Sequence, residues 1–399
     1  MSSTRRMAMP LAAILTASAF LAAPPAGAYT EDAVVAKVAD GDSLYVKGAR
    51  APIRLIGVDT PEQETCGYDA AKKALTQIAG PKTRVRLSAR DENSFAYGNG
   101  FRRPLRYVDN VKTKRDASLT LLEKGLGVFN NTVGEYDREL EYVQAAQRAA
   151  AARVGLFSPN RCGVGPAATL QIFAHYNAHL NDKQNMAGKW VRVVNRGAKT
   201  VDLNGWRLRP SNRKYYTFRN VVLAPQQSAV VHNGPGRSYM KDGDFHFYWG
   251  TKIDIPDPAT STFEAGSMFL QDPVQNFRAW TFWPCVIDCP TQQLVGKLQL
   301  FANWNNRDEY VEVINPTSEP VDASFLVLQT GPSVFEIPQG NLLAPGQSLR
   351  VWARPHGSDY TFDRGGQLFS RSGGEITLRG NDGVVVTDLR WIGPCSAQC

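Results

Sequence analysis

After residue 166 the chain repeats itself. The stretch "KWVRVVNRGAKTVDLNGWRL" (189–208) matches "EYVEVINPTSEPVDASFLVL" (309–328) in apolar spacing, with an Asn and a Val-Asp pair in register. Further on, "NVVLAPQQSAVVH" (220–232) matches "GNLLAPGQSLRVW" (340–352), and each copy closes on a Trp followed by Pro-Cys-x-x-x-Cys. A repeat of this length means one supersecondary plan used twice. Short alternating segments broken by Gly, Pro and Asn turns read as antiparallel sandwiches. The expectation is two similar all-β sandwich domains, at 166–291 and 292–399.

The part before the repeat is of another kind. Residues 33–66 read as strands joined by tight turns. Residues 68–79 and 116–125 carry helical periodicity, and 136–157 reads as an amphipathic helix with Leu140, Val143, Ala146 and Ala150 on one face. Small barrel strands with interspersed helices predict an α+β barrel of the OB type over 29–165, with "VGPAAT" (164–169) as linker.

Residues 1–28 read as a signal peptide: Arg5 and Arg6, an apolar run from Leu11 to Ala23, and the small-residue site Ala26-Gly27-Ala28. That run is too short for a membrane span, and no later stretch reads as one. The expectation is a secreted, extracellular monomer. Six cysteines in an oxidising compartment predict disulfides. The matched Pro-Cys-x-x-x-Cys motifs suggest local bridges Cys285–Cys289 and Cys395–Cys399, which leaves Cys66 for Cys162. No Cys-x-x-Cys spacing favours zinc.

Charge is uneven. The formal net charge is +8, yet residues 82–115 hold ten Lys and Arg against Asp91, Glu92 and Asp109. Such a basic segment suits a polyanion. All five histidines (His175, His179, His232, His246, His356) lie beyond the barrel region. A phosphodiesterase centre in the barrel would therefore need a carboxylate or a metal-bound water as its base. His175 and His179 have i, i+4 spacing but no accompanying carboxylate motif. "ADGDSLYV" (39–46) and "RLIGVDTPE" (54–62) supply carboxylates at strand ends, and Pro61 bends the chain out of its strand. Asp40 and Asp42 flank Gly41 in the first stretch. Paired with the second they make a candidate hard-cation site, since two carboxylates with backbone carbonyl and water oxygens suit Ca²⁺, which takes ~6–8 oxygen ligands.

"DGDS", "IRLIGVDTPE", Arg103 before "PLRYV", "LLEKGLG", the long helix and "GLFSP" together resemble, in order, the thermonuclease (staphylococcal-nuclease-like) family. The resemblance implies an OB-fold and Ca²⁺-dependent cleavage of DNA and RNA to 3′-phosphate products. It makes Asp42, Asp59 and the Thr60 carbonyl the calcium ligands, Arg54 and Arg103 the phosphate-binding arginines, and Glu62 the general base. The segment "RDENSFAYGNGFRRP" (90–104) lacks the family's Tyr-Gly-Arg, so Arg102 stands as an alternative to Arg103. "VFNN" (128–131) stands where the family often has tyrosines that pack on the nucleotide, with Phe129 the obvious substitute.

The repeats resemble lamin-tail domains, on "NGWRLRPSNRKYYTFRNVVLAP" (204–225) and "HFYWG" (246–250), which implies two immunoglobulin-like β-sandwiches. The first copy holds fourteen Lys and Arg against nine Asp and Glu, the second eight against eleven. In the first, Arg207, Arg209, Arg213, Lys214 and Arg219 interleave with Tyr215, Tyr216 and Phe218, a mix that could grip a phosphate backbone. The partners expected are DNA and RNA, with a cell-surface polymer as a further partner of the repeats. The rival expectation is an inactive nuclease-fold protein that binds nucleic acid or such a polymer.

Overall fold

The computed structural model describes residues 29–392 except 99–100, 133, 163–169, 176–188, 211–214, 242, 251–264, 288, 290, 305–307, 332, 339, 363–366, 371 and 381. The expected signal peptide, the expected linker, His179, Arg213, Lys214 and the expected Cys395–Cys399 bridge lie outside the described residues.

The first unit is a closed five-stranded barrel. Strand β1 (Tyr29–Val38) pairs antiparallel with β2 (Ser43–Val46) and with β5 (Arg84–Ala89). β2 continues to β3 (Ile53–Leu55), and β4 (Val58–Asp59) follows a sharp bend. The barrel closes where β3 runs parallel to β7 (Phe101–Asn110), which also pairs with β5 and with the hairpin strand β6 (Phe95–Gly98). Val35, Leu44, Leu55, Val85, Leu87 and Val108 fill the interior. The bend between β3 and β4 needs glycine. Gly57 has φ of 81°, and a Cβ there would lie 2.2 Å from the Tyr142 ring.

Helices α1 (Tyr68–Ala79), α2 (Ala117–Glu123) and α3 (Glu139–Ala151) cover the barrel, and β8 (Val128–Phe129) pairs with β4. Asp116 caps α2 by accepting from the Leu119 amide at 3.0 Å. It also accepts from Arg138 (2.6 Å) and from the Tyr142 hydroxyl (2.5 Å) on and beside α3, which ties the two helices. Leu140 corrects the sequence reading: it is 44% exposed, while Tyr142, Val143, Ala146, Ala149 and Ala150 are buried. The helix is turned so that Tyr142 can close over Gly57, and that rotation carries Leu140 to solvent.

The first sandwich has one sheet of β9 (Leu170–His175), β10 (Trp190–Asn195), β15 (Ser228–His232), β17 (Asp244–Tyr248) and β16 (Tyr239–Lys241). The facing sheet holds β12 (Arg207–Pro210), β13 (Tyr216–Thr217), β18 (Gly266–Gln271) and β19 (Phe277–Trp283), and β11 (Val201–Asp202) pairs with β14 (Val222–Leu223). The second sandwich is wired alike. β20 (Gln299–Asn303), β21 (Tyr310–Ile314), β26 (Ser348–Trp352) and β27 (Tyr360–Thr361) form one sheet. β23 (Val327–Thr330), β24 (Ser333–Glu336), β28 (Gly373–Arg379) and β29 (Val385–Ile392) form the other, with β22 (Val321–Asp322) on β25 (Leu342–Leu343). Both copies include one parallel pair, β15 with β17 and β26 with β27.

The barrel and the first sandwich share one apolar core. Ala265, Phe269, Phe277 and Phe282 of the sandwich belong to the same buried cluster as the barrel residues. Phe157 packs against Trp280 edge-on, with ring centroids 5.0 Å apart, and against Phe269 at 6.4 Å. Disulfides Cys66–Cys162 and Cys285–Cys289 are formed, and no free cysteine occurs among the described residues. The two sandwiches meet where Arg192 bonds Glu336 at 2.8 Å and lies 4.7 Å from the Phe325 ring centre.

Candidate functional site

The "DGDS" turn and the "VDTPE" bend come together at one end of the barrel. Gly41 permits it: a Cβ there would lie 2.5 Å from Thr60 Oγ1. Asp42 Oδ2 accepts from the Thr60 amide (2.8 Å) and from the Thr60 hydroxyl (3.0 Å). Arg54, central in β3, ion-pairs with both Asp42 and Asp59 and also donates to the Val58 carbonyl at 3.1 Å. The two carboxylates are 3% and 1% exposed, so their charges have left bulk water and are held by cationic and hydrogen-bonding partners.

The two carboxylates meet on one guanidinium, which already balances their charge, so a cation held by both would have to displace it. Among the described residues no group of three or more His, Cys, Asp and Glu side chains gathers for a metal.

A cleft of about 420 Å³ opens beside this cluster. One wall is Asp59, Thr60, Pro61 and Glu62; the other is Arg207, Arg209, Tyr215 and Gln271 of the first sandwich. Glu62 is exposed in the bend, where its carbonyl accepts from the Thr65 amide at 3.1 Å. Arg209 reaches across to ion-pair with the second oxygen of Asp59. That contact joins residues of two folding units, and nothing within either unit signals it. The sequence marks Arg209 as basic but not where it goes.

Arg102 and Arg103 separate by strand parity. Arg54 stands opposite Leu105 in the parallel pair, so Arg103, two residues earlier, shares the Arg54 face. Its Nε is buried and makes no hydrogen bond. Arg102 points the other way, exposed, with its guanidinium 3.7 Å from the Phe95 ring centre.

Phe129 does not serve as a stacking platform. It is 1% exposed and lies in the shared core, with its carbonyl accepting from Ser267 Oγ of the sandwich at 3.2 Å. Two residues on, Asn131 donates to the Ala265 carbonyl at 3.0 Å, so the "VFNN" stretch is spent on docking the sandwich. Within "RKYYTFR", Phe218 is fully buried and Tyr216 half-buried, its phenol pKa raised by burial, whereas Tyr215 is 53% exposed. Arg207 lies over the Tyr215 ring, 4.6 Å from its centre. His175 stacks on Trp190, with ring centroids 5.0 Å apart.

Residues 167–268 match the family model of the Lamin Tail Domain, which covers most of the first sandwich. A search of curated proteins finds no match to this chain. No helix among the described residues is long and apolar enough to cross a membrane.

Proposed function

We propose that this protein is a secreted, Ca²⁺-dependent nuclease with an OB-type, thermonuclease-like barrel, hydrolysing phosphodiester bonds of DNA and RNA. The observation that carries this reading is the meeting of Asp42, Arg54, Asp59 and Thr60 at one buried point, beside a cleft that also holds Glu62. The second sandwich, wired like the first, is read as a further lamin-tail-like domain.

The chemistry follows from the residues. Attack on a phosphodiester builds negative charge on its equatorial oxygens, and guanidinium groups stabilise such charge through paired donors. Arg103 shares one face of the β3–β7 pair with Arg54, and its buried Nε is a donor suited to an anionic ligand. Arg54 would supply a second such group once a cation takes Asp42 and Asp59 from it. Asp42, Asp59 and the Thr60 carbonyl would hold Ca²⁺, whose charge would offset that developing on the phosphate. Glu62, at the open side of the cleft, takes the proton of the attacking water. The leader sequence and the two disulfides support an extracellular site of action.

Digestion of plasmid DNA and of RNA by the mature chain tests the reading. Cleavage is expected with Ca²⁺, and none with Mg²⁺ alone or with excess chelator. Glu62→Gln should lower turnover by ~10²–10⁴-fold and change binding little. Undiminished cutting in chelator would remove the metal from the scheme, and wild-type turnover in the variant would remove Glu62.

A second reading has one observation in its favour: Asp59 is bridged by two guanidiniums, Arg54 and Arg209. That arrangement suits a catalytically inactive protein that binds nucleic acid without cation. Binding with no cleavage under any divalent ion would select it.

A further inference from the structure

We infer that the first sandwich is the nucleotide-binding wall of the cleft, with Tyr215 stacking an unpaired base and Arg207 and Arg209 holding the adjoining phosphates. The inference rests on the nuclease reading of the barrel. Its class of ligand is single-stranded or locally melted nucleic acid.

Three observations converge on it. Tyr215 is the exposed aromatic of its stretch and lines the same cleft as Asp59 and Glu62. Arg207 covers one face of the ring, and a ring so placed leaves its other face for a base. Arg209 meets Asp59 at the inner end of the same wall, so a cationic group already stands beside the barrel's carboxylates. Once Asp59 is given to a cation, a phosphate oxygen is the alternative partner for that guanidinium.

The barrel offers no such platform in this cleft. Phe129 is sealed in the core by the docked sandwich, and the strand that carries it is bonded to Ser267. The docking that buries this aromatic also delivers Tyr215. A duplex keeps its base faces stacked on one another, so a single exposed ring can engage only a base that is unpaired.

Binding is best measured by anisotropy in Ca²⁺, in a Glu62→Gln background, where turnover is slowed by ~10²–10⁴-fold. The probes are a short fluorescein-labelled oligodeoxythymidylate, an abasic strand of equal length, and a duplex. Base stacking is worth ~1–3 kcal/mol, so Tyr215→Ala should weaken oligodeoxythymidylate binding by about 5- to 150-fold. It should leave the abasic strand and the duplex unchanged, and Tyr215→Phe should restore the loss. Arg209→Gln should weaken every single strand, abasic included, and reduce the log–log salt slope by roughly 0.7. Tyr239→Ala, an exposed tyrosine on the other sheet of the same sandwich, should change nothing.

Unchanged oligodeoxythymidylate affinity in Tyr215→Ala, or an equal loss on the abasic strand, would overturn the wall. If the wild type still cuts DNA with Ca²⁺ in that case, the nuclease reading stands alone. Tyr215-dependent binding without any cleavage would sustain the wall and sink the nuclease.

Discussion

Leu208 and Leu270 face one another in the first sandwich as Leu328 and Leu378 do in the second, and all four are buried. One residue away, the copies part. Phe269 of the first stands opposite Trp280, and Ser267 opposite Phe282. In the second these places are taken by Thr377 opposite Asp388 and Glu375 opposite Arg390, the latter an ion pair at 3.0 Å. Side chains alternate between the two faces of a strand, so the inner set can stay apolar while the outer set changes freely. The outer set of the first sandwich joins the barrel's core; that of the second does not. Arg209 follows the same rule, with Gln329 at its place in the second copy. The repeated plan builds a sandwich, and the alternate residues decide what it docks against.

The strongest way to break this contrast is to truncate the two outer positions. Phe269→Ala should cost about 3–5 kcal/mol, because the ring is fully buried among Phe157, Phe277 and Phe282. Thr377→Ala should stay within about 0.5 kcal/mol, as a surface change does. Denaturant unfolding of the full chain measures both; comparable losses would mean that the second sandwich also docks through this face.

A smaller effect sharpens the shared plan. Asn195 donates to the Lys199 carbonyl at 2.8 Å and the Leu223 carbonyl at 3.1 Å. Asn315 donates to the Glu319 and Leu343 carbonyls, both at 2.8 Å. Both amides are fully buried. Replacing either by Ala leaves buried carbonyls unmatched and should cost about 1–3 kcal/mol in each copy. Unequal losses, read by hydrogen exchange in each sandwich, would show that the two cores are not equivalent.

A further effect is a pH dependence tied to His246 of the first copy. His246 bonds His232 at 2.9 Å and stacks on Tyr239; burial, with the neighbouring His232 and Arg192, lowers its pKa to about 4. Unfolded histidine titrates near ~6.5. The unfolded chain therefore binds the proton first, so this stability is present above about 6.5 and is lost as pH falls toward 4. Melting temperatures from pH 7 to 4 should fall less steeply in His246→Gln. An unchanged slope would assign the dependence to other groups.

Much of the fold was legible before any coordinates. The paired Asn and Val-Asp marks predicted two copies, and the structure pairs β11 with β14 as it pairs β22 with β25. The helix expected over 68–79 is α1, and two of the three expected disulfides are formed. These features are local or repeated, so spacing alone carries them. The turn and the bend are each encoded within a few residues, so their carboxylates are legible locally, whereas the roles of Asp42, Arg54, Asp59 and Thr60 are what the thermonuclease resemblance implies.

What sequence did not decide are the facts that depend on two units meeting. Periodicity placed Leu140 inward, but the closure of Tyr142 over Gly57 turned α3 and exposed it. Phe129 read as a stacking residue because nothing local says that a sandwich will cover its strand. Arg207, Arg209 and Tyr215 read as a basic, aromatic surface, and only docking brought them against Asp59. Alternation tells which residues share a face of a strand. What that face meets depends on shape and apolar area offered by chain more than a hundred residues away, and only the folded molecule brings the two together.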